Sequence, residues 1–142
     1  MAKSSVKSVF IDTSVLFAAC KSKYGASAQI LAYCKKGKLH GYISLYVITE
    51  VKRNIVYEVD QKVKQRLNVY LLGAKLKLIE PSTSEISRCE EVINDKDTPV
   101  LAAAIKAKVD FLTTLDKKDF FQTQVRNFIK PIQIISPKDI LS

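Results

Sequence analysis

Two aspartates in this chain follow apolar runs, a placement that suits chemistry. Asp12 ends Val9-Phe10-Ile11 and is followed by Thr13 and Ser14; Asp116 ends Val109-Asp110-Phe111-Leu112-Thr113-Thr114-Leu115 and precedes Lys117-Lys118-Asp119. Runs rich in β-branched and aromatic residues read as buried strands. A carboxylate does not belong inside such a strand, but it fits the strand's carboxyl end, where ligands of open α/β sheets collect. Neighbouring strands lie about 5 Å apart, so adjacent placement would bring Asp12 and Asp116 into one crevice. Clustered carboxylates repel, and one takes up a proton unless a cation sits among them. With no His or Cys at ligand spacing, an all-oxygen site suits Mg²⁺ or Mn²⁺. Such an ion lowers the pKa of a bound water, orients it towards a phosphodiester and stabilises the leaving oxygen; two ions about 3.5–4 Å apart would clamp both oxygens.

Two further acids have an open reading. Asn94-Asp95-Lys96-Asp97-Thr98-Pro99 precedes the helix-forming run Val100-Leu101-Ala102-Ala103-Ala104-Ile105, with Pro99 suited to the first turn. Asp97 therefore stands at a helix N-terminus, either as a dipole-stabilising cap or as a third acid of the crevice. Glu50 falls in a helix predicted over 45–56 and capped by Ser44. The apolar stripe of that helix is Leu45, Ile48, Val51 and Ile55, widened by Val47 and Val56. Glu50 lies outside the stripe, one step round from Val47, and spacing alone favours solvent over a cleft.

The remaining elements position these acids. Thr13 or Ser14 is predicted to cap a helix starting at Val15-Leu16-Phe17. A second helix covers Ala26–Lys35 and ends near Gly37. Strands are read at 38–44, 76–80 and 132–136, a charged helix at 57–72, and a short helix from Ser84. Pro137 begins a terminal turn. Strands alternating with helices give an α/β fold with a mainly parallel central sheet of about four to five strands.

The totals are those of a globular protein. The 142 residues predict one domain, 1–142, long enough to bury roughly 70% of the unfolded surface. No apolar run reaches the roughly 20 residues of a membrane span, and because Met1-Ala2-Lys3-Ser4-Ser5 leads directly into the predicted first strand, no signal peptide is expected. Cys20, Cys34 and Cys89 lack metal-type spacing and read as reduced core thiols of a cytoplasmic protein. His40, the single histidine, reads as an incidental surface residue. Lys plus Arg is 23 against 14 for Asp plus Glu, a formal +9 that concentrates polyanions, nucleic acid first among them. The same charge on a merely solubilising surface is the bland alternative.

Four motifs then carry a resemblance across nearly the whole chain. Asp12 in Ile-Asp-Thr-Ser, Glu50 in Ile-Thr-Glu-Val, Asp97 in Lys-Asp-Thr-Pro-Val-Leu-Ala-Ala-Ala and Asp116 in Leu-Thr-Thr-Leu-Asp-Lys-Lys-Asp-Phe resemble, in order, the motifs of the PIN domain. The resemblance implies a three-layer α/β/α fold and a metal-dependent ribonuclease, often the toxin of a VapC-like toxin–antitoxin pair. It also implies RNA as substrate, an antitoxin partner and a homodimer. On it, Asp12, Asp97 and Asp116 are the expected metal ligands, with Glu50 a ligand or a residue that positions the water. Many members carry Asp-x-Asp after the fourth strand, whereas here Lys117 and Lys118 separate Asp116 from Asp119; Asp119 is therefore a supporting residue rather than an assigned ligand. Ser14 and Thr114 would hydrogen-bond ligand carboxylates or a phosphate, or serve as plain caps and strand-end hydroxyls. Lys52, Arg53, Lys117 and Lys118 would hold the RNA backbone, or form a solvated face.

Two rival readings stay open at this stage. A phospho-accepting receiver module also gathers acids at parallel strand ends, but would want an acidic pair near the first strand, which offers only Asp12. A non-catalytic RNA-binding scaffold would use the same acids as structural caps.

Overall fold

The computed structural model describes residues 6–142, so the expectation about Met1–Ser5 lies outside the described residues. Five strands form one sheet: β1 (Ser8–Ile11), β2 (His40–Ile43), β3 (Lys77–Leu78), β4 (Phe111–Thr113) and β5 (Gln133–Ile135). Their order is β3-β2-β1-β4-β5 and every pairing is parallel. The chain winds outward from β1 in one direction through β2 and β3, then in the other through β4 and β5. The gap between β1 and β4 is thus the topological switch point, where crevices open at the strands' carboxyl ends. The register pairs Phe10 with Leu112 and Ile11 with Thr113, and the Asp12 N–H extends the ladder by donating to the Thr113 carbonyl at 3.1 Å.

Nine helices connect or cover the described strands: α1 (Thr13–Lys21), α2 (Ala26–Lys35), α3 (Leu45–Ile55), α4 (Gln61–Gly73), α5 (Thr83–Ser87), α6 (Thr98–Ala107), α7 (Lys117–Phe120), α8 (Thr123–Ile129) and α9 (Pro137–Leu141). Helices flank the sheet in an α/β/α arrangement. The short strands are apolar because both faces are covered: Val9, Phe10, Ile11 and Leu112 are fully buried among Val15, Leu16, Ala19, Val100, Leu101 and Ala103. The alanines of α6 let that helix approach β1 and β2 closely. Helix α1 packs on α2, α3 and α4, while α5 packs on α6. Helix α3 touches both α1 and α6 and so crosses beside the switch point. At Gly41 a Cβ would lie 2.6 Å from Leu76 Cδ2 and 2.7 Å from Cys34 Sγ, so only glycine permits this approach of β2 to its cover.

Several sequence expectations shift. The cap of α1 is Asp12, not Thr13 or Ser14, which are its first helical residues. The apolar face of α3 is Val47, Val51 and Ile55, whereas Leu45 and Val56, at the helix ends where fewer neighbours reach them, are exposed. The charged helix starts at Gln61, after a break over 56–60, because Asp60 caps it by accepting from the Lys62 N–H. The short helix begins one residue before Ser84, capped by Ser82 through a reciprocal box with Glu85. Helices α7 and α8 were not anticipated. Cys20, Cys34 and Cys89 are free and buried, and burial pushes their thiols up to about 12, 12 and 11, which leaves them protonated and unreactive.

Candidate functional site

Asp12 leaves β1 as the N-cap of α1, yet its carboxylate does not cap. Oδ2 instead accepts from Ser14 Oγ at 2.7 Å and from Thr114 Oγ1 at 2.8 Å. Thr114, just beyond β4, is fully buried, and its hydroxyl also accepts from the Asp116 N–H at 3.0 Å. Ser14 Oγ accepts from the Leu115 N–H at 3.0 Å. Two hydroxyls thus stitch the ends of β1 and β4 together around one carboxylate. Burial pushes the Asp12 carboxyl above the usual carboxylate range, opposed by the Ser14 and Thr114 hydrogen bonds.

Asp97 repeats the pattern at the start of α6. It occupies the N-cap position without a side-chain capping bond. Its Oδ2 accepts from Asn94 Nδ2 at 2.9 Å, and Asn94 Oδ1 accepts from the Asp97 N–H at 3.2 Å. The capping explanation therefore does not account for this buried aspartate. Burial pushes its pKa up to about 6; the Asn94 bond opposes the rise, and the negative charges of Asp12, Asp116 and Asp119 add to it.

Asp116 caps α7 by accepting from the Asp119 N–H at 3.1 Å. That turn carries Asp119 back towards Asp116, since residues three apart share a helix face. Carboxylate oxygens of Asp97, Asp116 and Asp119 all lie within 4.8 Å of one another. The ligand set expected from the motifs was Asp12, Asp97 and Asp116; the tightest group exchanges Asp12 for Asp119, despite the intervening lysines. Two oxygens on opposite sides of Mg²⁺ stand about 4.2 Å apart, so small side-chain rotations would close this all-oxygen trio on one hard cation.

Asp12, Asp97 and Asp116 line a cavity of about 310 Å³ together with Thr13, Ser14, Phe17, Tyr46, Glu50, Asn54, Lys96 and Val100. Glu50 is in the cleft and not out in solvent. The buried face of α3 is turned towards Val47, and Glu50, three residues on, comes round with it. Its Oε2 accepts from Arg53 at 2.8 Å, so Arg53 is engaged by a carboxylate. Lys52, Lys117 and Lys118 are exposed. Tyr46 donates to the Lys96 carbonyl at 2.7 Å, tying α3 to the turn before α6; burial, then the charges of Glu50 and Asp97, raise its hydroxyl pKa. His40 is exposed at the start of β2, away from this cavity.

Sequence reasoning missed Phe17, Tyr46, Asn54 and Lys96 as lining residues. A signal for two of them was present: Tyr46 and Asn54 stand four residues either side of Glu50, on one helix face.

The chain matches the PIN domain family over residues 8–118. It belongs to the PIN domain family. Its fold is shared by VapBC2 from Rickettsia felis, solved bound to a DNA fragment from their promoter, at 16% identity and a TM-score of 0.63, covering 91% of this chain and 97% of that one. Mycobacterium tuberculosis VapC20, described as a sarcin-ricin loop cleaving toxin, is similar at 13% identity and a TM-score of 0.59, with 78% and 91% covered. PAE2754 from Pyrobaculum aerophilum is similar at 18% identity and a TM-score of 0.61, with 96% and 88% covered. A comparison with curated protein sequences returned no match. Among the described residues no helix of this PIN domain is long and apolar enough to cross a membrane.

Proposed function

We propose that this PIN domain, taken as one unit over 1–142, is a metal-dependent ribonuclease that hydrolyses RNA phosphodiester bonds, in the manner of a toxin of a toxin–antitoxin pair. The observation that carries the reading is the convergence of Asp97, Asp116 and Asp119 beside the buried Asp12 at the sheet's switch point. A structural scaffold has little use for like charges gathered at one point, two of them, Asp12 and Asp97, buried carboxylates that make no cap. The trio would hold Mg²⁺ or Mn²⁺, with Asp12 reaching the same cavity from β1. When bound there, the cation supplies a water of lowered pKa and charge stabilisation at the scissile phosphate. Ser14 and Thr114 hold Asp12 in one orientation. Glu50, fixed by Arg53, orients the attacking water. Lys96 lines the cavity, and Lys52, Lys117 and Lys118 meet the RNA backbone as exposed cations. An antitoxin-type partner, a homodimer and a cytoplasmic setting belong to this reading.

The test is incubation of the purified chain with single-stranded RNA and Mg²⁺ or Mn²⁺. Cleavage that stops on chelation supports the proposal. RNA binding that is indifferent to the ion and leaves the strand intact would replace it with the non-catalytic scaffold.

A further inference from the structure

A second cleft lies at the opposite end of the sheet from the acids. Its volume is about 540 Å³, and it opens where β4 and β5 start, between α6 and α8. Helix α6 separates the two sites: Asp97 precedes its first residue and Lys108 follows its last, roughly 16 Å further along the axis. Cys89, Val109, Ile129 and Ile132 are buried and make an apolar floor. Beside that floor Ile105 of α6 and Phe128 of α8 stand 37% and 40% exposed. One exposed apolar side chain is ordinary. Two large ones from separate helices, lining one cleft over a buried apolar floor, mark an interaction surface.

The charge around the cleft has one sign. Arg88, Lys108 and Lys130 line it, are exposed, and have no carboxylate partner among the described residues. The acid that lines it, Glu85, is already engaged by Lys106 at 3.5 Å and by the Ser82 N–H at 2.7 Å. A second copy of this chain, itself at +9, would be repelled by these cations. A nucleic-acid strand would satisfy them but would find an aliphatic floor and a single ring, Phe128, on which to stack. The cleft adjoins a further one of about 490 Å³ along β5, with Lys130, Pro131 and Ile132 common to both. An occupant therefore has room to continue beyond it, as a polypeptide does.

We infer that this cleft docks an acidic amphipathic helix of a protein partner. Apolar side chains three and four residues apart on that helix seat against Ile105 and Phe128, and carboxylates flanking its apolar stripe meet Arg88, Lys108 and Lys130. The inference goes beyond the nuclease reading and does not depend on it. A partner held here leaves the acid cavity open, so it recruits or tethers the chain without plugging the site.

The probe is a labelled synthetic peptide of about 18 residues, long enough to form a helix, with Leu at i, i+3, i+4 and i+7 and Glu at the flanking positions. Its binding to the full chain is read by fluorescence anisotropy and amide chemical shifts, without RNA or metal, so loss of the nuclease reading leaves the result untouched. The control is the same composition in scrambled order, which keeps the charge and removes the stripe. The amphipathic peptide should bind about tenfold more tightly than the control, with shifts at Ile105 and Phe128 and none at Asp12 or Asp97. Phe128→Ala should weaken it about tenfold. Lys108→Ala and Lys130→Ala should each weaken it about threefold and lessen its sensitivity to salt; these two carry the test if melting by circular dichroism shows Phe128→Ala unfolded. No binding, equal affinity for the two peptides, or shifts centred on another face overturns the docking site. Single-stranded oligouridylate, or self-association of the chain, that shifts the Ile105 and Phe128 amides in place of the peptide would give the cleft a different occupant and overturn it as well.

Discussion

Thr114 and Asp12 are joined across the β1–β4 seam: the threonine hydroxyl donates to Asp12 Oδ2 at 2.8 Å and accepts from the Asp116 N–H at 3.0 Å. One buried hydroxyl therefore sets the position of two acids that are 104 residues apart in the chain. Thr114→Val keeps the shape and removes both bonds. It leaves a buried carboxylate and a backbone N–H short of partners, an effect of about 1–3 kcal/mol. Denaturant unfolding should show that loss, and RNA cleavage should fall by about 10- to 100-fold, the usual range for a residue that orients a metal-site carboxylate. Thr114→Ser restores the hydroxyl and should recover most of both. Wild-type stability and rate in Thr114→Val would mean that the seam does not organise the site.

Asp12→Asn separates charge from architecture. The amide oxygen still accepts from Ser14 and Thr114, so the seam survives, and the charge that burial disfavours is gone. The variant should melt at or above the wild-type temperature while metal-dependent cleavage disappears. Circular dichroism melting and a labelled-RNA assay check the two halves. Full cleavage in the folded variant would remove Asp12 from the reaction.

Asp97 gives the metal-free protein a pH dependence of definite sign. Its folded pKa is raised to about 6, against roughly 4 in the unfolded chain. Between these values the folded state binds more protons than the unfolded state, so stability is highest below about pH 4 with respect to this group and declines as pH rises to about 6. In chelator, the melting temperature should fall over that window through this contribution, and Asp97→Asn should flatten it. At pH 7, millimolar Mg²⁺ or Mn²⁺ should raise the melting temperature by binding the folded state alone. Absence of any ion-dependent shift would argue that the trio does not hold a cation.

The parts of this site that were legible in the sequence are those dictated by strand ends. An apolar run that stops on an aspartate can be read without knowing its neighbours, which is why Asp12 and Asp116 stood out, and the β1–β4 pairing then places both on one cavity. Helical positions were less legible. Spacing alone turned Glu50 to solvent because Leu45 and Val56, apolar but at the ends of α3, tilted the inferred stripe away from Val47; only the motif resemblance put Glu50 in the site. Asp119 counts only as a supporting residue on its spacing, yet the turn of α7, begun by the Asp116 cap, brings it into the group. Asn94 is tied to Asp97 by local bonds that periodicity does not register.

Asp119 allows a test of that geometry against the motif. If the trio binds as a unit, Asp119→Asn should weaken the Mg²⁺-induced rise in melting temperature, with a rightward shift of the ion titration, while the α7 cap persists because Asp116 accepts from the residue-119 N–H and not from its side chain. A titration unchanged from wild type would return Asp119 to the surface.

The cations proposed to meet the RNA divide by their partners. Arg53 is engaged by Glu50, whereas Lys52, Lys117 and Lys118 are exposed and have no carboxylate partner among the described residues. A lysine that neutralises an RNA phosphate releases a counterion, and its removal shallows the plot of log affinity against log salt by about 0.7 for a single strand. In the cleavage-dead Asp12→Asn background, Lys117→Ala and Lys52→Ala should each show that change in a fluorescence-anisotropy titration at several salt concentrations, without altering which RNA is preferred. Arg53→Ala should behave differently: the slope stays near wild type, and in the active chain kcat falls because Glu50 loses its anchor. A wild-type slope in both lysine variants would place the RNA backbone on another face.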